Sequence, residues 1–182
     1  MRSVAVCGKA SRYIKTGLAS GYDVKDAAWR TLNMAFSFGG EFTVQRTPEE
    51  THDFLTDPNR FCPLLPDYQK VDVRDTENFI VEVKVGISHI RGTAVVKLCL
   101  AEHTRPSRAL YTGKATMAGG NVDLIARFDL RADGSGTVVS WKGEAQVFGR
   151  LTSIAGGLLE PLARKNIQKV VASLQQAMNE HR

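Results

Sequence analysis

"GTVVSWKGEAQVFGRLTSIAGGLLEPLARKNIQKVVASLQQAM", residues 136–178, changes its period part-way along. In the first third Thr137, Val139, Trp141, Gly143, Ala145 and Val147 alternate with polar residues, the pattern of a strand with one buried face. Beyond Leu151 the apolar positions Leu158, Leu162, Ile167, Val170, Leu174 and Met178 recur at threes, fours and one five, the stripe of an amphipathic helix. A long strand therefore feeds a long helix through a very short connection. Pro161 lacks a donor and its ring presses on the carbonyl of residue 157, so with Gly156 and Gly157 it predicts two helices or a kink.

Upstream, strand patterns recur near 69–74, 78–85, 90–100, 108–117 and 121–131, and "RADGSG" (131–136) is a turn before the last strand. Such short spacing predicts an antiparallel meander. Before it, "MAFSFGGEFTVQR" (34–46) reads as a strand. "TPEETHDFLTD" (47–57) reads as a short helix capped by Thr47, with Pro48 at its first position and Glu49 and Glu50 in its first turn. Pro58, Pro63 and Pro66 then end it. Strand, short helical region, six strands and a long helix make an α+β architecture.

The 182 residues suit one domain with a real core. The net charge of +5 is unevenly placed: residues 1–33 hold six basic and two acidic residues, the remainder 18 against 17. No basic block interleaves with aromatics, which argues against nucleic acid as a partner. Cys7, Cys62 and Cys99 are odd in number and form no CxxC, as in a reduced cytoplasmic protein. Residues 1–33 lack sustained periodicity apart from "DVKDAAWRTL", where Asp23 could cap a short helix. They are expected to be an extension outside the domain: either a start codon assigned too far upstream, or a basic arm docking on a partner or anionic surface.

Alternation places Ala94, Val96 and Leu98 on one face of the fourth strand, Ala109, Tyr111, Gly113, Ala115 and Met117 on that of the fifth, and Leu124, Ala126 and Phe128 on that of the sixth. Several inward positions are Gly or Ala beside large neighbours. In a sheet curved around a helix they would leave an apolar cavity, or else serve only to let a twisted sheet bend while the helix fills the space.

His52, His89, His103 and His181 show no metal-ligand spacing, and surface or supporting roles are expected for them. No nucleophile elbow or dinucleotide loop occurs. Cys62 reads as a small buried hydrophobe rather than a reactive thiol. Arg91, Arg127, Lys142 and Glu82 alternate outward. Tyr111 is the one inward group placed for acid–base work, and an enzyme needs at least two that converge.

Four stretches together carry a resemblance: "FGGEFTVQRTPEETHDFLTDPNRFCPLLPDYQKV", "VGISHIRGTAVVKL", "GKATMAGGNVDLIARFDL" and "TVVSWKGEAQVFGRLTSIAGGLLEPLARKNIQ". From Met34 on, the chain resembles the G-subunit family of carbon monoxide dehydrogenase (CoxG), in the START-like (SRPBCC, helix-grip) superfamily. The resemblance implies a domain over 34–182: a seven-stranded curved antiparallel sheet around a long C-terminal helix, with two short helices after the first strand closing one end.

The resemblance further implies non-catalytic binding of a hydrophobic, quinone-like molecule. The protein would be an accessory or membrane-recruiting factor for a molybdenum hydroxylase, cytoplasmic and in peripheral contact with the inner face of the membrane. No metal and no catalytic residue is expected. The absence of a hydrophobic anchor after Met178 departs from the family and weakens the case for stable membrane attachment. The expected lining is Phe54, Phe61, Leu65, Val83, Ala94, Val96, Tyr111, Gly113, Ala115, Met117, Ala126, Phe128, Trp141, Gly143, Leu158 and Leu162. The alternative is a cyclase- or hydrolase-like enzyme acting on an aromatic or polyketide-type substrate.

Overall fold

The computed structural model describes residues 33–87 and 90–180. The expected extension, with Cys7 and the helix at Asp23, therefore lies outside the described residues, apart from Asn33; so do His89 and His181. β1 (Asn33–Val44) is followed by α1 (Pro48–Thr56), α2 (Pro58–Phe61) and a 3-10 turn (Cys62–Leu64). Then come β2 (Tyr68–Val73), β3 (Asn78–Ile87), β4 (Ile90–Thr104), β5 (Arg108–Met117), β6 (Gly120–Asp133), β7 (Gly136–Gly149) and α3 (Leu151–Glu180).

The seven strands form one antiparallel sheet in the order β1-β7-β6-β5-β4-β3-β2. Each strand after β1 pairs with the next in sequence, and β7 closes back on β1. The antiparallel meander is the one the periodicity predicts, and the seven-stranded sheet with one long helix is the one the resemblance implies. Its hairpins are tight: at the 131–136 turn Gly134 takes φ 59, a left-handed angle that glycine adopts without penalty.

The three prolines have separate uses. Pro58 opens α2, whose cap Asp57 accepts from the Asn59 amide at 2.9 Å. Pro63 sits at the start of the 3-10 turn. Pro66 precedes Asp67, whose positive φ of 57 turns the chain into β2. Upstream, Thr47 and Glu50 form a reciprocal capping box on α1.

α3 runs as one helix through Pro161, so of the two helices or single kinked helix that the sequence predicts, two helices are not formed. Proline costs one hydrogen bond and crowds one carbonyl, and the residue four back is Gly157, around which a Cβ would meet nothing within 4 Å. Helix packing over both flanks outweighs that local cost. α3 lies against β1 and β7 and reaches β3 and the 3-10 turn.

Candidate functional site: the half-covered face of the sheet

Register sorts every strand residue onto the concave face toward α3 or the convex face. One concave row runs Phe79, Leu98, Gly113, Leu124, Ala145, Phe36 across β3 to β1. The next runs Leu100, Tyr111, Ala126, Gly143, Phe38. Outward residues pair with one another: Glu82 with Lys70 at 3.0 Å, Lys142 with Glu144 at 2.6 Å, and Asp129 with Arg108 and Arg127. The expected outward placing of Glu82, Arg127 and Lys142 agrees with this register, and Arg91 is exposed.

The concave face is covered unevenly. At one end α1 and α2 pack on two clusters. One holds Phe42, Val44, Phe54, Leu55, Leu130, Val139, Leu174 and Met178; the other Cys62, Phe79, Val81, Leu100, Ala109 and Tyr111. Phe61 packs against both. It forms an aromatic triangle with Phe79 (5.8 Å) and Tyr111 (5.7 Å), those two being 5.9 Å apart. Each such pair adds about 0.5–1.5 kcal/mol beyond the area it buries.

The Tyr111 hydroxyl donates to the Leu55 carbonyl of α1 at 2.9 Å, and burial, then Cys62 and Asp57, raise its pKa. It ties the helix to the sheet, so the group expected to be free for acid–base work is engaged. Cys62 is fully buried, and burial, with Asp57, pushes its thiol up to about 12. At neutral pH it stays protonated and unreactive, as its reading as a hydrophobe requires.

Of the surface or supporting roles expected of the histidines, His52 does not take the surface one. It is 3% exposed on α1, and neither ring nitrogen has a hydrogen-bond partner among the described residues. Its ring lies 6.3 Å from that of His103, and Nδ1 is 3.8 Å from Asp53 Oδ1. A bulge in β4 between Leu100 and Glu102 brings His103 opposite Ala109. Arg105 in the following hairpin donates to both Asp53 oxygens, at 2.8 and 2.9 Å, and these bonds hold the Asp53 carboxyl below its ordinary pKa. No group of three or more potential metal ligands occurs among the described residues.

Beyond the aromatic triangle the covering thins. Val83, Val96, Leu98, Leu124, Ala126, Gly143 and Ala145 are only half-buried although they face α3. A Cβ built on Gly143 would meet only the Ile125 carbonyl, at 4.0 Å, so space opens above it. The foot of α3 closes the far end: Leu151 is buried against Gly120 and its amide donates to the Gly119 carbonyl at 3.1 Å.

Two grooves flank α3. One of about 510 Å³ runs along β1, lined by Met34, Gly157, Glu160, Pro161, Arg164, Lys165 and Gln168. The other, about 320 Å³, lies at the proline loop between Leu64, Pro66, Asp67 and Lys169, Ala172, Ser173.

The expected lining thus divides. Val83, Val96 and Ala126 pack against the edge of the second cluster and, with Gly143, run half-buried into the middle of the face, and Ala94 and Ala115 are small buried members of neighbouring strands. Met117 lies toward the far end, opposite Gly120. Phe54 and Tyr111 belong to the closed end, and Phe61, Phe128 and half-buried Leu65 pack against it. Trp141 stands at the boundary, its indole over Gly40, where a Cβ would lie 3.2 Å from Nε1. Leu162 is half-buried on α3, but Leu158 is 56% exposed and does not face the sheet's interior as expected.

Gly113 also differs from expectation. A Cβ there would lie 2.6 Å from Leu98 Cδ2 and 2.9 Å from the Lys97 carbonyl, so its flanking strands already fill the room it was expected to leave. Sequence reasoning missed Met34, Phe36 and Phe38 of β1, although "MAFSF" shows their alternation plainly, and it missed Arg164, whose guanidinium lies 5.4 Å from the Phe38 ring centroid.

The model of the family described as the G subunit of carbon monoxide dehydrogenase (CoxG) matches residues 40–179. The chain belongs to the CoxG family. The fold agrees. A conserved protein from Geobacillus kaustophilus superposes with a TM-score of 0.70 at 17% identity, over 79% of this chain and 95% of that one. A START superfamily protein from Mycobacterium smegmatis gives 0.58 at 11%, over 78% and 96%. The di-domain ARO/CYC protein BexL of the BE-7585A biosynthetic pathway gives 0.56 at 15%, over 81% of this chain and 51% of BexL. No curated protein matches the sequence. The START-like helix-grip fold expected for this CoxG family member is the one observed. No helix among the described residues is long and apolar enough to cross a membrane.

Proposed function

We propose that this protein is a non-catalytic carrier that holds a hydrophobic, quinone-like small molecule on the half-covered part of its concave face. The observation that carries this is the contrast within one face. Its lid end is closed by aromatic packing, while apolar side chains beyond Phe61 are left half-buried under α3. An apolar recess with few polar groups suits a ligand held by burial rather than by chemistry. Membership of the CoxG family supports service to a carbon monoxide dehydrogenase-type molybdenum hydroxylase as an accessory or membrane-recruiting factor.

A cyclase-like reading draws on the fold shared with BexL. It finds less support in the side chains. The buried polar residues among those described are Thr51, His52 and Thr137. Thr51 and Thr137 donate to backbone carbonyls, and His52 belongs to α1 at the lid end, its ring 6.3 Å from that of His103.

The test is a titration of Trp29→Phe protein, in which Trp141 is the remaining tryptophan, with decyl-ubiquinone, followed by fluorescence. Saturable quenching is expected. Native mass spectrometry of protein from its own host should retain a prenylated quinone. Fluorescence that responds to no apolar ligand, together with an empty native spectrum, would overturn the reading.

A further inference from the structure

We propose that the groove between β1 and α3 holds the head of the ligand, and that this head is an oxygen-bearing hydrogen-bond acceptor on an apolar tail. The inference rests on the carrier reading for the tail and adds which end faces out and what chemistry it has.

The groove differs in kind from the recess behind it. Arg164, Lys165 and Gln168 bring donors to one stretch of helix, against a single carboxylate, Glu160. Arg164 gives one N–H to Glu160 Oε1 at 3.0 Å, an exposed pair held loosely in water. A guanidinium carries five N–H groups, so donors remain for an incoming acceptor. Lys165 has no ion-pair partner among the described residues.

Met34 lines the groove, and Arg164 lies over the ring of Phe38, which is paired with Gly143, where space is open. A molecule with its oxygens among these donors would therefore lay its tail across Phe38 toward Gly143. Lys and Arg serve such a position well, since their stems pack on apolar surface while their charged ends stay in water.

Two head chemistries share this acceptor character, a carboxylate and a quinone carbonyl, and the test separates them. Wild type and Arg164→Met/Lys165→Met are titrated with dodecanoate, decyl-ubiquinone and N-phenyl-1-naphthylamine, the last having no oxygen. Losing hydrogen bonds to charged donors should weaken dodecanoate about tenfold or more. Decyl-ubiquinone should weaken by about threefold or more if its carbonyls occupy the site, while N-phenyl-1-naphthylamine stays within about twofold. Weakening of dodecanoate alone assigns the head to a carboxylate; weakening of either oxygen-bearing probe, with the dye unchanged, supports the proposal.

Equal weakening of all three would mean that the substitutions damaged the recess, and the proposal falls. No weakening of either oxygen-bearing probe also overturns it while the carrier reading stands. Failure of all three to bind wild type removes both. Arg164→Lys, which keeps a charged donor, should recover part of the lost affinity.

Discussion

The two ends of the concave face are built from the same kinds of residue and end in different states. At the lid end, Phe61 fits against Phe79 and Tyr111, and a hydroxyl secures α1 to the sheet. Past it, Val83, Val96 and Ala126 face inward equally and touch the edge of the second cluster, yet they stay half-buried. Burial is thus decided by what is laid over the sheet. Two short helices set at one end by three prolines close that end only.

The largest expected break in this contrast is Phe61→Ala. Removing a residue that packs on both clusters should cost about 3 kcal/mol, read by chemical denaturation. A loss well under 1 kcal/mol would mean that the two clusters hold without it.

A glycine pair sharpens the comparison. Gly113→Ala should destabilise by about 1–3 kcal/mol, because the new methyl meets Leu98 and the Lys97 carbonyl. Gly143→Ala should be neutral or up to about 1 kcal/mol stabilising, since space is open and glycine is a poor strand residue. Gly143→Leu should keep stability and weaken decyl-ubiquinone. Similar losses for the two alanine variants would erase the difference between the regions.

Tyr111→Phe leaves the buried Leu55 carbonyl without its donor and should cost about 1–2 kcal/mol, with ligand affinity preserved. Lost affinity at unchanged stability would instead return Tyr111 to the binding surface.

The smallest effect concerns Asp53. Its folded-state pKa is depressed by Arg105, so its contribution is complete above the unfolded value and disappears as pH falls through the folded one. The pair is exposed, and Asp53→Asn should cost less than about 1 kcal/mol at pH 7. It should also flatten stability against pH below about 4. An unchanged acid limb would show that the pair contributes nothing to holding α1.

Much of this architecture is written in the sequence because periodicity reports facing. Thr137 to Val147 alternate as one face and are found on one face, and the seven strands follow the order of the patterns. Depth is another matter. Gly113 and Gly143 look alike in sequence, yet Leu98 and Leu124 lean over the first and nothing leans over the second. That depends on the rotamers of cross-strand partners, which period does not report. Leu158 fits the helical stripe by local spacing, but the five-residue step from Leu162 to Ile167 leaves it on the opposite side of α3 from buried Leu174 and Met178, and it lies exposed. Arg164 escaped notice since a cation on a helix flank looks solvated until the strand beside it is known.

α3 is held as a beam is held, at its supports. Leu151 fixes one end at Gly119 and Gly120. The other is fixed by Gln175 donating to the Thr43 carbonyl at 3.0 Å, Asn179 accepting from the Gln45 amide at 2.9 Å, and buried Leu174 and Met178. Pro161 falls near mid-span, where a beam loaded from below deflects most and where this one lacks a backbone hydrogen bond. The two grooves lie on opposite flanks of its buried stripe. The passage along β1 faces this mid-span, whereas the one at the proline loop faces Lys169, Ala172 and Ser173 beside the held end, so bending of α3 acts on the first far more than on the second.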